Sequence, residues 1–169
     1  MGKESELLEM VKTRDKKQIA VVRIRQERTG VLYTEKKEMH QPEDFLYTFG
    51  RLLEHASVEM MLAVSVMNSG EPVAVQLLAM GGVNTCNISM PEIFKFVFLS
   101  NCPEVLLLHN HPSGRVRPSK EDGQITKRIE EAGKILGIRL LDHIIVADRY
   151  HGYSIKCGKE LYSDKQKGA

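Results

Sequence analysis

The sequence lacks the features that mark membrane, secreted and strongly nucleic-acid-binding proteins. It has no run of the roughly 18 to 20 apolar residues that a membrane helix needs. Its N-terminus, MGKESELLEM, is charged where a signal peptide would be apolar. With 24 basic and 22 acidic residues the net charge is only +2, so the overall charge gives no argument for nucleic-acid binding. These absences predict a cytoplasmic protein that does not enter a membrane.

Cysteine is also scarce. The 169 residues include only Cys86, Cys102 and Cys157, which are widely spaced and form no C-x-x-C pair. This pattern is typical of reduced structural thiols, and cysteine is not expected to supply metal ligands. Because 42% of the residues are hydrophobic, the chain can bury one core of good size, and we expect one main domain.

The most informative stretch covers residues 106–122 and reads LLLHNHPSGRVRPSKED. The apolar run before it predicts a buried strand that ends in two histidines. Since residues two apart in a strand point to the same face, His109 and His111 are expected to aim at one point, with Asn110 facing away. Ser119 is the predicted N-cap of the next helix, and Asp122 lies in its first turn.

Two imidazoles and one carboxylate, with a fourth position left open, are the ligands of a hydrolytic zinc site. We therefore expect His109, His111 and Asp122 to bind Zn²⁺. Glu59, just before a long apolar strand, is the candidate base for a zinc-bound water. Simpler interpretations stay open, since Ser119 and Asp122 also fit an ordinary capping box and Glu59 fits a solvated strand start.

Hydrophobic periodicity predicts a helix over 5–14, a hairpin over 19–33, strands over 60–67 and 72–80, the histidine strand, and strands over 138–146 and 153–155. A helix after the capping box is expected to end at Gly137. Two further helices begin near Gln41 and Pro91, and their predicted inward residues are Phe45, Leu46, Phe49, Leu52 and Leu53 in the first, and Ile93, Phe94, Val97 and Phe98 in the second. This order predicts an α/β fold, a three-layer α/β/α sandwich with a mixed sheet.

The spacing of these site residues resembles a known signature. An H-x-H pair is followed by seven residues, a serine, two residues and an aspartate. This spacing is similar to the JAMM (MPN+) metalloprotease motif. The wider sequence, HNHPSG followed by PS-x-x-D, resembles the RadC family. The stretches MGG-x-N, PEIF, TKRIEEAGKILGI and LLDHIIV follow the RadC pattern as well. The resemblance covers roughly residues 21–154, which is most of the chain.

The resemblance implies a cytidine-deaminase-like JAB/MPN domain with zinc held by His109, His111 and Asp122. By the same similarity, Glu59 is the general acid/base and Ser119 hydrogen-bonds the oxyanion. The implied activity is that of a JAMM-type metalloprotease acting on a peptide, isopeptide or protein substrate. We divide the chain into an N-terminal helix and β-hairpin arm (1–40), a catalytic domain (41–162) and a loose tail (163–169).

Two departures from the RadC pattern bear on partners. Longer relatives carry a helix-hairpin-helix region, whereas here only about twenty residues precede the first predicted strand, which weakens the expectation of a direct DNA role. Pro91 also stands where relatives tend to have arginine. The basic cluster Arg115, Arg117 and Lys120 suits an acidic C-terminal tail or a nucleic-acid phosphate, although a solvated loop is the more common explanation.

Two rival functions stay open. The first is a non-catalytic, DNA-repair-associated binding module that keeps the fold with an idle site. The second is a metal-dependent nuclease, although a single metal set with one base suits carbonyl attack better than the paired metals of many phosphodiesterases. His143 could be an outer partner of a metal ligand, but a core histidine is the favoured interpretation.

Overall fold

The computed structural model describes residues 20–81 and 89–163. The chain divides into two compact units, Met1–Gly30 and Val31–Ala169. In the first unit, the described residues 20–30 form neither helix nor strand. The described part of the second unit contains the following elements: β1 (Met60–Val66), β2 (Pro72–Met80), β3 (Glu104–Asn110), β4 (Arg139–Val146), β5 (His151–Ser154), β6 (Lys159–Tyr162), α1 (Pro42–Gly50), α2 (Met90–Leu99) and α3 (Lys120–Leu136).

The six strands form one mixed sheet in the order β2-β1-β3-β4-β5-β6. Only β3 and β4 run parallel, and every other neighbouring pair is antiparallel. All seven residues of β3 are buried. Helix α3 makes the crossover between the two parallel strands, so it begins close to the end at which β3 stops. This connection brings the start of α3 next to the histidines.

Helices cover both faces of the sheet. On one face, Phe45, Leu46 and Phe49 of α1 pack with residues of β1, β3 and β4 such as Leu62 and Leu108. The other face has its own core, built from α2, α3 and the opposite side chains of the same strands: Ala63, Ile93, Phe94, Phe96, Val97, Val105, Leu107, Ile129, Ile138 and Leu140. The predicted three-layer α/β/α sandwich with a mixed sheet is confirmed.

Helix α3 has the ends that the sequence predicts. Ser119 caps its N-terminus, and Gly137 follows its last residue with a φ of 73°, in the left-handed region that favours glycine. Inside the helix, Gly133 lies so close to the following turn that a Cβ on it would be 2.3 Å from the Ile138 carbonyl oxygen.

Of the helices that the structure describes, none combines the length and the apolar character that crossing a membrane requires.

The predicted hairpin over residues 19–33 is not found. The described residues 20–33 contain no strand, and Val22, Ile24 and Tyr33 are 76%, 68% and 84% exposed. β-branched residues favour a strand only where it has a partner and a face to bury, and an isolated hairpin is marginal in water. The predicted helix over 5–14 and the tail from 164 lie outside the described residues. The division into arm, catalytic domain and tail therefore stays a prediction.

Two predicted inward residues are exposed instead. Leu52 is 40% exposed, because α1 ends at Gly50 and the helical spacing no longer applies beyond it. Phe98 is 53% exposed while Phe96 is buried. At about 100° per residue, Phe98 lies about 140° around the helix from the buried Ile93, whereas Phe96 lies only about 60° from it.

The prediction also missed strand β6. Its sequence, KELY, is short and charged, and only Leu161 among its four residues is buried. So short an alternation is too weak a signal to predict an edge strand.

Candidate metal centre

Strand β3 delivers the two histidines. His109 is its penultimate residue and is fully buried, while His111 follows the end of the strand and is partly exposed. Their Nε2 atoms lie 3.1 Å apart, with the ring centroids separated by 4.9 Å. The two-residue spacing therefore brings both imidazoles to one point, as predicted.

The first turn of α3 delivers the carboxylate. Asp122 closes a capping box, in which its backbone N–H donates to Ser119 Oγ at 3.0 Å. Both the backbone N–H and the hydroxyl of Ser119 donate back to Asp122 Oδ2, at 2.7 and 2.6 Å. This leaves Oδ1 facing His109 Nε2 at 3.2 Å, while Oδ2 lies 3.4 Å from His111 Nε2. The cap thus orients the carboxylate toward the histidines.

The three side chains fit a single metal ion. Each offers one ligand atom, and these atoms lie within 4.8 Å of one another. In a tetrahedral site with bonds of ~2.0 to 2.1 Å, two ligand atoms are ~3.3 Å apart. The two nitrogens are 3.1 Å apart, close to this spacing, and each faces a different oxygen of the Asp122 carboxylate, Oδ1 at 3.2 Å from His109 and Oδ2 at 3.4 Å from His111. His109, His111 and Asp122 could therefore hold a metal ion.

The electrostatics of the centre favour a cation. Burial alone would raise the pKa of Asp122, but its contacts with His109 and His111 hold this pKa far below its usual range. The pKa of His111 is raised, chiefly by its hydrogen bond with Asp122 and against the effect of burial. The site thus attracts a proton to the point between these groups, and a metal cation can take the place of that proton.

Glu59 immediately precedes β1. In the antiparallel pairing with β3, Met61 lies opposite His109, and continuing this register by two residues puts Glu59 opposite His111. Residues opposite each other on neighbouring strands lie on the same face of the sheet. The negative charge of Glu59 also contributes to the raised pKa of His111. The charge of Glu59 therefore acts on His111, while its role as the base stays a prediction.

Asn110 faces the opposite side, as predicted. Its Oδ1 accepts from the Met60 backbone N–H at 2.9 Å, and its Nδ2 donates to the carbonyl oxygens of Val58 and Ala56 at 3.0 and 3.4 Å. These bonds tie the chain just before β1 to the end of β3. Asn110 thereby anchors the segment that carries Glu59.

Ser119 stands beside the candidate site, and its hydroxyl is used in the capping box, where it donates to Asp122. A role as donor to a substrate oxyanion would require that hydroxyl to turn away from the carboxylate. The loop residues Arg115 and Arg117 are exposed, and the Arg115 carbonyl accepts from His111 Nδ1–H at 2.8 Å.

The interpretation of His143 as an ordinary core histidine is incomplete. It is fully buried, but its Nε2 lies 2.9 Å from His109 Nδ1 and its Nδ1 lies 2.6 Å from Thr126 Oγ1. Burial lowers the pKa of His143 well below its usual value. The sequence signal was the pattern LLDH, in which a histidine interrupts an apolar strand. Thr126 was missed altogether, because a helical threonine has no distinctive signal.

Comparison with known proteins identifies the fold. The RadC-like JAB domain matches residues 39–160. A UPF0758 protein of Caldanaerobacter subterraneus is 36% identical over 115 residues, which are 68% of this chain and 49% of that protein. The UPF0758 protein of Bacillus mycoides is 33% identical over 116 residues, covering 69% of this chain and 52% of the relative. The UPF0758 protein of Alkaliphilus metalliredigens is 43% identical over 86 residues, which are 51% of this chain and 37% of that protein.

This chain spans about half the length of these curated relatives or less. The matched region contains α1 to α3, β1 to β5 and all the residues of the candidate metal centre. Because the match covers most of the sequence, the chain belongs to the family of RadC-like JAB domain proteins.

Proposed function

We propose that this protein is a zinc-dependent hydrolase of the JAMM type that cleaves peptide or isopeptide bonds. The observation that supports the proposal is the convergence of His109, His111 and Asp122, whose possible ligand atoms lie within 4.8 Å of one another. The side chains of His111 and Asp122 are 18% and 11% exposed, so substrate can approach from that side.

The histidines and the aspartate would hold the metal as two neutral nitrogen ligands and one oxygen ligand, a set that suits zinc. Bound zinc supplies Lewis acidity, which lowers the pKa of a coordinated water to ~7 and polarises a carbonyl group. The remaining roles are those of the protein's own residues. Asp122 is held in its ligating orientation by the capping box, and His111 by the Arg115 carbonyl.

Glu59 is the proposed general acid/base. Its carboxylate takes a proton from the attacking water and returns it to the leaving amine, which avoids expelling an unprotonated amine. Ser119 is the proposed donor to the oxyanion of the tetrahedral intermediate, after its hydroxyl turns from Asp122. The peptide or protein substrate and the cytoplasmic location are further parts of this proposal.

The test is a cleavage screen with the purified full chain and a peptide library that includes isopeptide-linked pairs, with and without chelator. Glu59→Gln should abolish cleavage while zinc stays bound. Glu121→Gln is the control, because it removes an exposed carboxylate from the first turn of α3, next to Asp122, and should leave cleavage unchanged.

The binding-module rival and the nuclease rival predict other results. A zinc-loaded chain that cleaves no peptide, yet shows a salt-dependent DNA shift unaffected by Glu59→Gln, would favour the binding module. Chelator-sensitive cleavage of plasmid instead of peptide would favour the nuclease.

A further inference from the structure

Two buried polar side chains beside the metal centre have no role in the proposed chemistry. His143 on β4 is fully buried and Thr126 on α3 is 6% exposed. His143 Nε2 lies 2.9 Å from His109 Nδ1, and His143 Nδ1 lies 2.6 Å from Thr126 Oγ1. Thr126 Oγ1 is also 2.6 Å from the backbone carbonyl oxygen of Asp122. Together these contacts form a chain of hydrogen bonds that runs from one ligand residue, Asp122, to another, His109.

The Asp122 carbonyl oxygen sets the direction of the bonds in this chain. A carbonyl oxygen can only accept, so the single hydroxyl hydrogen of Thr126 is donated to Asp122. The oxygen of Thr126 therefore accepts from His143 Nδ1–H. In the contact of 2.9 Å between His143 Nε2 and His109 Nδ1, one nitrogen has to donate and the other to accept. With its hydrogen on Nδ1, the imidazole of His143 has a lone pair on Nε2, which accepts from His109 Nδ1–H.

This sequence of donors decides the tautomer of His109. With its hydrogen on Nδ1, the imidazole presents the Nε2 lone pair to Asp122 and His111, which is the form that a metal requires. The other histidine does not depend on side chains for this choice, since His111 Nδ1 donates to the backbone carbonyl of Arg115. His109 is thus the ligand whose tautomer a side-chain substitution could change.

We propose that Thr126 and His143 are positioning residues that fix His109 in the Nδ1–H tautomer and so prepare its Nε2 for the metal. The inference rests on the proposed function only in assuming that a metal binds there. Without the threonine oxygen, His143 Nδ1–H has no acceptor, and the opposite tautomer of both histidines becomes accessible. His109 would then carry a hydrogen on Nε2, at the point where the metal has to bind. Mutation of a residue that hydrogen-bonds to a metal ligand commonly weakens metal binding by about 10- to 100-fold.

The test compares Thr126→Val, which removes the hydroxyl at similar size, with Thr126→Ser, which keeps it. Long-range ¹H–¹⁵N NMR of the imidazole rings in the chelator-treated full chain reports the tautomer of His109. Competition with a chromophoric chelator, using zinc alone as the probe, reports affinity. Wild type and Thr126→Ser should show hydrogen on Nδ1 and similar affinity. Thr126→Val should lose this preference and bind zinc about 10- to 100-fold more weakly.

The proposal is overturned if Thr126→Val keeps both the Nδ1–H tautomer and the zinc affinity of Thr126→Ser. Should Thr126→Val fail to fold, His143→Gln against His143→Leu gives the same comparison, because the glutamine carbonyl can still accept from His109 while leucine cannot. Neither readout involves a substrate. Absence of peptide cleavage by the wild type therefore counts against the proposed function alone, and a wild type that binds no zinc still leaves the tautomer comparison decisive.

Discussion

Replacement of Asn110 by alanine removes the anchor of the segment that carries Glu59. Two of the lost bonds have good geometry, at 2.9 Å from the Met60 N–H and 3.0 Å to the Val58 carbonyl, and the third, at 3.4 Å to Ala56, is weak. At about 1 kcal/mol for each good bond and less for the long one, the loss is about 2 to 3 kcal/mol. For a domain of this size we expect the Tm to fall by roughly 4 to 12 °C.

Thermal and urea unfolding of the purified chain measure this loss. Asn68→Ala is the control, because Asn68 is exposed in the turn between β1 and β2 and its replacement should change stability by less than ~0.5 kcal/mol. Zinc affinity of Asn110→Ala should stay close to wild type, since the ligands lie on the other face of the sheet, whereas cleavage should fall as Glu59 loses its position. An Asn110→Ala chain as stable as Asn68→Ala, or one that loses zinc, would refute this reasoning.

Two further predictions concern stability alone. In urea unfolding, Gly133→Ala should destabilise the fold by more than ~1 kcal/mol, because the new Cβ would lie 2.3 Å from the Ile138 carbonyl oxygen. The control is Gly123→Ala on the same helix, where a Cβ meets open space, and this change should be neutral or stabilising by up to ~1 kcal/mol. Equal effects would contradict the close approach. The hydrogen bond from Arg149 lowers the pKa of Glu54 below its usual value of 4.5. This ion pair therefore stabilises the folded protein by about 1 kcal/mol above pH 4.5, and the stabilisation is lost as the pH falls through the folded-state pKa. Glu54→Gln should therefore be less stable than wild type at pH 7 and approach it in acid, and a gap that widens in acid would contradict the assignment.

Local patterns in the sequence were enough to predict that the side chains of His109, His111 and Asp122 converge. Once the strand is recognised, the two-residue spacing of His109 and His111 means that both side chains point in the same direction. The capping box of Ser119 and Asp122 defines where the next helix begins. Both signals lie within fourteen consecutive residues and depend only on backbone geometry.

Contacts between distant segments could not be predicted in this way. Asn110 bonds residues about fifty positions earlier, and His143 meets His109 across 34 positions. These contacts depend on which strands become neighbours, and periodicity within one strand carries no information about that choice. The failed hairpin over 19–33 has a similar origin, since its β-branched residues have strand propensity but propensity does not provide a pairing partner, and the described residues 20–33 contain no strand.

Metal analysis of four purified chains tests the central claim most directly. Because three side chains are proposed to share one ion, His109→Ala and Asp122→Ala should each lose stoichiometric zinc, while wild type and Glu59→Gln should retain it. Circular dichroism checks that all four are folded. Zinc retained in full by both ligand variants would contradict the account.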